Sequence, residues 1–220
     1  VRKKVARSVR SEAKPPRRGL GHQATRKRGL IFVVSGPSGS GKTTLRDKLL
    51  EDKTLKRKLS KSVSFTTRRR RTKERHGRDY FFITETDFKK KVRAKEILEW
   101  TKYLGYYYGT PRFLVEKQLS RGKNIILCLD LKGAIRIKRL YPKNSVTAFV
   151  LPPSIQTLRL RIEKRCHETK KEEIARRLKL AKEELSASRR YDYTIVNKNL
   201  ERALRELKGI ILQEIHLASQ

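Results

Sequence analysis

The chain has 220 residues, 36% of them apolar, which suffices for one sizeable globular domain with a buried core. No apolar run approaches the roughly eighteen residues of a membrane span, and the opening stretch is too charged for a secretory signal core. Neither export nor a membrane span is therefore expected, and a cytoplasmic location is. With 57 Lys and Arg against 22 Asp and Glu, the net charge of +35 attracts any polyanion, and it fits either a basic surface around an anion site or a nucleic acid or other polyanion partner. Cys128 lies in an apolar strand pattern and Cys166 among charged helix residues, so a disulfide has no support and a reducing compartment is the simpler reading.

Residues 1–28 lack apolar periodicity, contain Pro15-Pro16 and carry like charges that repel one another. They read as a disordered basic arm, with an organelle-targeting segment or a nucleic-acid tail as rivals. A β-branched apolar run then predicts a buried strand over 30–34, and a helix is predicted over 44–50. Between them stands Gly36-Pro37-Ser38-Gly39-Ser40-Gly41-Lys42-Thr43, followed by Thr44, which fits the phosphate-binding pattern GxxxxGK[ST] in its required setting. Glycines let successive N–H groups curl around phosphate oxygens, and the new helix adds its positive end. Lys42 would neutralise phosphate charge, and Thr43 offers a hydroxyl to the Mg²⁺ that accompanies a nucleoside triphosphate.

Residues 61–110 interrupt the strand and helix rhythm with short β-rich pieces at 62–67, 80–84 and 97–103, a helix near 85–94 and a basic turn. Such a patch reads as an insertion over the carboxyl edge of a parallel sheet, where open α/β sheets bind ligands. Strands over 124–130, 145–151 and 193–196 alternate with helices over 134–140, 155–165, 171–187 and 200–215, which gives a mainly parallel sheet with helices on both faces.

Within the insertion, Ser62-Val63-Ser64-Phe65-Thr66-Thr67-Arg68-Arg69-Arg70-Arg71 is followed by Glu74, Gly77, Asp79 and Tyr80, then Glu99-Trp100 and Tyr107-Tyr108-Gly109-Thr110. Together with the strand ending in Asp130 and the Leu131-Lys132-Gly133 that follows it, this order resembles guanylate kinase, and the resemblance covers about 30–212. It implies a three-layer P-loop kinase fold at 29–215, with a small mixed GMP-binding insertion at 61–110, a helical lid at 154–190 and a tail at 216–220. The implied reaction moves the γ-phosphoryl group of ATP to GMP or dGMP with Mg²⁺.

On that resemblance Arg68, Arg71, Tyr80 and Tyr108 clamp the GMP phosphate, for which arginine forks suit the oxygens better than lysine. Glu99 accepts from guanine N1–H and the amino group, whereas adenine presents an acceptor at N1 and is refused. Ser64 and Thr110 would meet guanine O6, and Asp130 would lie near the base amino group and the reacting phosphates. Trp100 is expected in the core. The basic helices resemble the family's lid, with Arg161, Arg165 and Arg177 at its arginine positions, where they would stabilise charge during transfer and exclude water. Asn197 matches an asparagine expected near adenine, with a cap of the last helix as its plain alternative.

The chain departs from the family at Cys128, where an acid is usual, at Lys73 for a glycine, and at Cys166-His167 for Gly-Thr. Two rivals stand beside the enzyme: a binding module that keeps the fold without catalysis, and a basic nucleic-acid-associated protein. The intact loop at 36–43 argues against the first, and the second requires residues 1–28 for polynucleotide affinity.

Overall fold

A computed structural model describes residues 28–103, 105–165 and 171–220, though not the side chains of 165 and 171–173. The arm expected at 1–28 thus lies outside the described residues except for Arg28, as does Cys166-His167. The main sheet is built from β1 (Ile31–Ser35), β2 (Leu59–Lys61), β7 (Asn124–Cys128), β8 (Ser145–Leu151) and β9 (Tyr193–Val196). Its order is β2-β7-β1-β8-β9, and every pairing is parallel. All five carboxyl ends therefore open on one edge, so the loops after β1, β7, β8 and β9 must converge there.

Alternation along β1 divides the core. Phe32 and Val34 face α1 (Lys42–Glu51) and α7 (Leu200–Leu217), packing with Leu45, Leu49, Leu207 and Ile211. Ile31 and Val33 face α3 (Arg112–Ser120) and α4 (Leu131–Leu140), packing with Val115, Leu119, Ala134 and Ile137. Each fully buried Leu or Ile here contributes about 1.5–3 kcal/mol, so the loops at the sheet edge stand on a stiff base. Among the described residues no helix is long and apolar enough to cross a membrane.

The insertion forms a second sheet, β4-β3-β6-β5, from β3 (Phe65–Thr66), β4 (Phe81–Phe82), β5 (Ile97–Tyr103) and β6 (Tyr106–Pro111). It packs through Phe65 and Ile97 on Phe88 of α2 (Glu85–Arg93), a helix capped by Thr84, whose Oγ1 accepts from Asp87 N at 3.1 Å. The lid consists of α5 (Ile155–Arg165) and α6 (Lys171–Ser186), joined by Leu158, Ile162 and Ala181.

Several expectations need correction. The strand expected over 62–67 is only Phe65–Thr66, because the residues before it carry the chain from the end of β2 in the main sheet across to the second sheet. β2, β6 and α3 had not been anticipated, and α7 runs on to Leu217. Trp100 is not core: it is 47% exposed. Glu99 faces the cleft, so its neighbour on the strand must face outward, and β5 is an edge strand with little to cover it.

Candidate active site

The loop after β1 is a backbone device. Gly36, Gly39 and Gly41 have φ of 135°, 89° and 98°, a region that other residues rarely adopt. A side chain would also collide: a Cβ at Gly36 would stand 2.4 Å from Val150 O, and one at Gly41 2.3 Å from Asn197 Nδ2. Asn197 is buried at the end of β9, and its Nδ2 donates to Ser40 O at 2.8 Å. The cap of α7 is instead Asn199, whose Oδ1 accepts from Arg202 N at 3.0 Å. Lys42 Nζ donates to Gly36 O at 2.5 Å and Pro37 O at 3.0 Å, which sets its ammonium over the loop. Ser38, Thr43 and Thr44 line the cleft, whereas Ser40 is buried beneath the loop.

The cleft itself has a volume of about 2130 Å³, and both sheets and the lid contribute to its wall. Such a space exceeds that of a typical single small-molecule site and suits two nucleotides. On its far side Arg68 Nη2 donates to Glu74 Oε1 at 2.6 Å, and the guanidinium lies over the rings of Tyr80 and Phe82 at 5.7 and 5.9 Å. Glu74 Oε2 also accepts from the main-chain N of Arg71 at 2.9 Å, so one carboxylate holds the Arg68 side chain and the backbone of the basic turn. Burial pushes the Glu74 carboxyl up, but Arg68 and the Arg71 N–H outweigh it and hold it below its ordinary value. The Tyr80 and Tyr108 rings meet edge-on at 5.9 Å, and both line the cleft with Ser64, Arg68 and Arg71.

Glu99 is 6% exposed. Burial, assisted by the charge of Asp130, pushes its carboxyl up to about 7 against the pull of hydrogen bonds from Thr110. Thr110 Oγ1 donates to Glu99 Oε1 at 2.5 Å and is fully buried, so this hydroxyl stands behind the carboxylate. Oε2 reaches the first turn of α4, where a Cβ on Gly133 would stand only 2.7 Å from it. Asp130 caps that same turn, its Oδ1 accepting from Gly133 N at 2.8 Å.

From the lid, Arg161 and Arg177 line the cleft, and Arg161 Nη2 donates to Asn197 O at 3.1 Å. Arg165 closes α5, and its side chain lies outside the described residues. Sequence reasoning did not single out Glu184 of α6, which lines the cleft and whose carboxyl is pushed up to about 7 by burial, with Lys42 opposing and Asp130 assisting. Nor did it find Tyr191, whose hydroxyl donates to Ser35 Oγ at 2.9 Å, or Arg46. The helical spacing of Glu184, three residues after the buried Ala181, was the available signal for the first. Cys128 faces the loop, with Sγ 3.8 Å from Lys42 O, and burial pushes its thiol up more than Arg46 and Lys42 pull it down.

Comparison with known proteins gives the family. The family model described as guanylate kinase matches residues 28–214. A guanylate kinase of Caldanaerobacter subterraneus subsp. tengcongensis is 41% identical over 86% of this chain and 89% of its own length. One of Thermotoga maritima is 43% identical over 85% and 88%. The crystal structure of guanylate kinase from Anaplasma phagocytophilum superposes with a TM-score of 0.70 at 32% identity, covering 86% of this chain and 88% of its own.

Proposed function

The chain belongs to the guanylate kinase family and phosphorylates GMP from ATP, and we propose that it does so with the cleft residues described above. The loop 36–43 would hold the triphosphate, with Lys42 balancing its charge, while the lid residues Arg161, Arg165 and Arg177 and the α4 cap Asp130 would serve the transferring group. Arg68, Arg71, Tyr80 and Tyr108 would hold the acceptor phosphate, and Glu99, backed by Thr110, would read the guanine edge, with Ser64 beside it. The observation that carries this reading is the buried Glu99 carboxylate in the same cleft as the glycine loop. A desolvated acceptor of this kind gains only from a base that presents donors, and guanine does so where adenine does not.

Phosphoryl transfer needs little covalent help from the protein, so positioning and charge do the work. The attacking oxygen would be the GMP phosphate oxygen, held in line by the arginine and tyrosine clamp, and ADP would leave toward Lys42. Closure of α5 and α6 would exclude water that otherwise hydrolyses ATP. Among the described residues no group of three or more His, Cys, Asp or Glu could hold a metal by itself. The single hydroxyl of Thr43 in the first turn of α1 instead suits Mg²⁺, which keeps most of its ligands from phosphate and water. Bound there, Mg²⁺ would spread the developing charge of the phosphate oxygens.

The test is to incubate the purified chain with ATP and Mg²⁺ and each of GMP, dGMP, AMP, UMP and CMP, identifying the diphosphate formed. GDP and dGDP are the expected products. Turnover of AMP as fast as GMP would refute the role given to Glu99, and no turnover of GMP would refute the whole reading.

A further inference from the structure

Arg46 is a cation of the cleft that the mechanism above leaves unused. It stands one turn beyond Lys42 on α1, and that i, i+4 spacing puts both on one helix face. Its side chain is 20% exposed and lines the cleft with Tyr80, Cys128 and Asp130. Asp47 orients the guanidinium: one carboxylate oxygen accepts from Nε at 2.9 Å and from Nη2 at 2.7 Å. A guanidinium has five N–H donors in a fixed fork, so those bonds leave donors on the other edge, which also meets the Cys128 thiol. Strand register explains what that edge meets. β7 runs parallel to β1 with Cys128 opposite Val34, which brings the end of β7 against the start of α1. Arg46 is thereby placed between the donor loop and the acceptor clamp, close enough for its charge to act on both Cys128 and Tyr80.

We propose that Arg46 is a phosphate ligand of the transfer site, a fixed arginine that binds phosphate oxygens between Lys42 and Tyr80. Its ligand class is a phosphate monoester or anhydride, and the proposal rests on the function proposed above.

The experiment uses the whole chain and two variants, Arg46→Met and Arg46→Lys. Removing one charge-assisted phosphate contact should lower kcat/KM for GMP about 10- to 100-fold and weaken GMP binding in calorimetry. The thermal midpoint should stay within about 2 °C, since Arg46 is not part of the apolar core. Arg46→Lys should fall between, because a point charge keeps attraction but loses the fork. An Arg46→Met chain with wild-type kcat/KM and GMP affinity overturns the proposal. A wild-type chain that fails to phosphorylate GMP overturns the proposed function instead, and the calorimetric comparison of wild type with Arg46→Met then decides Arg46 alone.

Discussion

The two walls of the cleft are made by opposite means. The donor wall is backbone: three left-handed glycines, a buried asparagine that ties the loop to β9, and a helix start, all resting on the apolar core of a parallel sheet. The acceptor wall is side chains: an arginine ordered by Glu74, tyrosines packed edge-on, and a buried carboxylate, carried on short strands over a small aromatic cluster. Backbone N–H groups can grip any triphosphate, but they carry little information about the base. Side chains carry that information, and each one is separately replaceable. The donor wall should therefore fail through changes of shape, and the acceptor wall through changes of charge.

The largest effect should come from forcing a side chain into the donor backbone. Gly41→Ala must adopt a φ of 98° and meet Asn197 Nδ2 at 2.3 Å. Kinetics should show kcat/KM for ATP lowered about 100-fold, with GMP affinity in calorimetry unchanged. Equal loss on both nucleotides would break the separation of the walls. Gly133→Ala sharpens it, because here a glycine serves the acceptor wall. The added Cβ displaces Glu99 while favouring the helix by up to about 1 kcal/mol. A chain as stable as wild type but about 30-fold poorer in kcat/KM for GMP is expected, with ATP affinity retained.

A smaller effect belongs to Glu74, which touches only other protein groups. Glu74→Gln should loosen Arg68 and raise KM for GMP about tenfold, with kcat nearly constant. A fall in kcat with unchanged KM would mean that Glu74 acts on the reacting atoms. The smallest effect is that of pH. The Glu99 carboxyl is raised to about 7, so its proton stays on in the folded state well above the ordinary carboxylate range. Its ionised form, the one that accepts from guanine, is gained as pH rises through about 7 and lost below. The ratio of GMP to AMP kcat/KM should fall about threefold from pH 7.5 to pH 6.5. Stability runs the other way: the contribution of the proton on Glu99 is present below about pH 4.5 and lost as pH rises through 7.

What could be read in the sequence follows the same division. Leu30 to Thr44 announced a strand, a glycine loop and a helix because local backbone chemistry dictates them, and the structure agrees within a residue or two. β8 and β9 were legible from apolar runs of strand length. The acceptor motifs were legible only as a resemblance, since nothing local separates Arg68, which lines the cleft, from the exposed Arg70. Trp100 was misplaced because alternation had to be counted from Glu99, whose inward orientation only tertiary packing fixes. Glu184 and Arg46 escaped notice for one reason: each looks like an ordinary polar residue until the fold brings it to the cleft.

The most direct test of a side-chain-built acceptor wall facing a backbone-built donor wall is the initial rate of ADP formation with saturating ATP and Mg²⁺, comparing GMP with AMP in wild type and Glu99→Gln. The account predicts that wild type prefers GMP by about 1,000-fold or more. Glu99→Gln should collapse that preference with ATP affinity intact. An unchanged preference in Glu99→Gln, or wild-type turnover indifferent to the base, would contradict it.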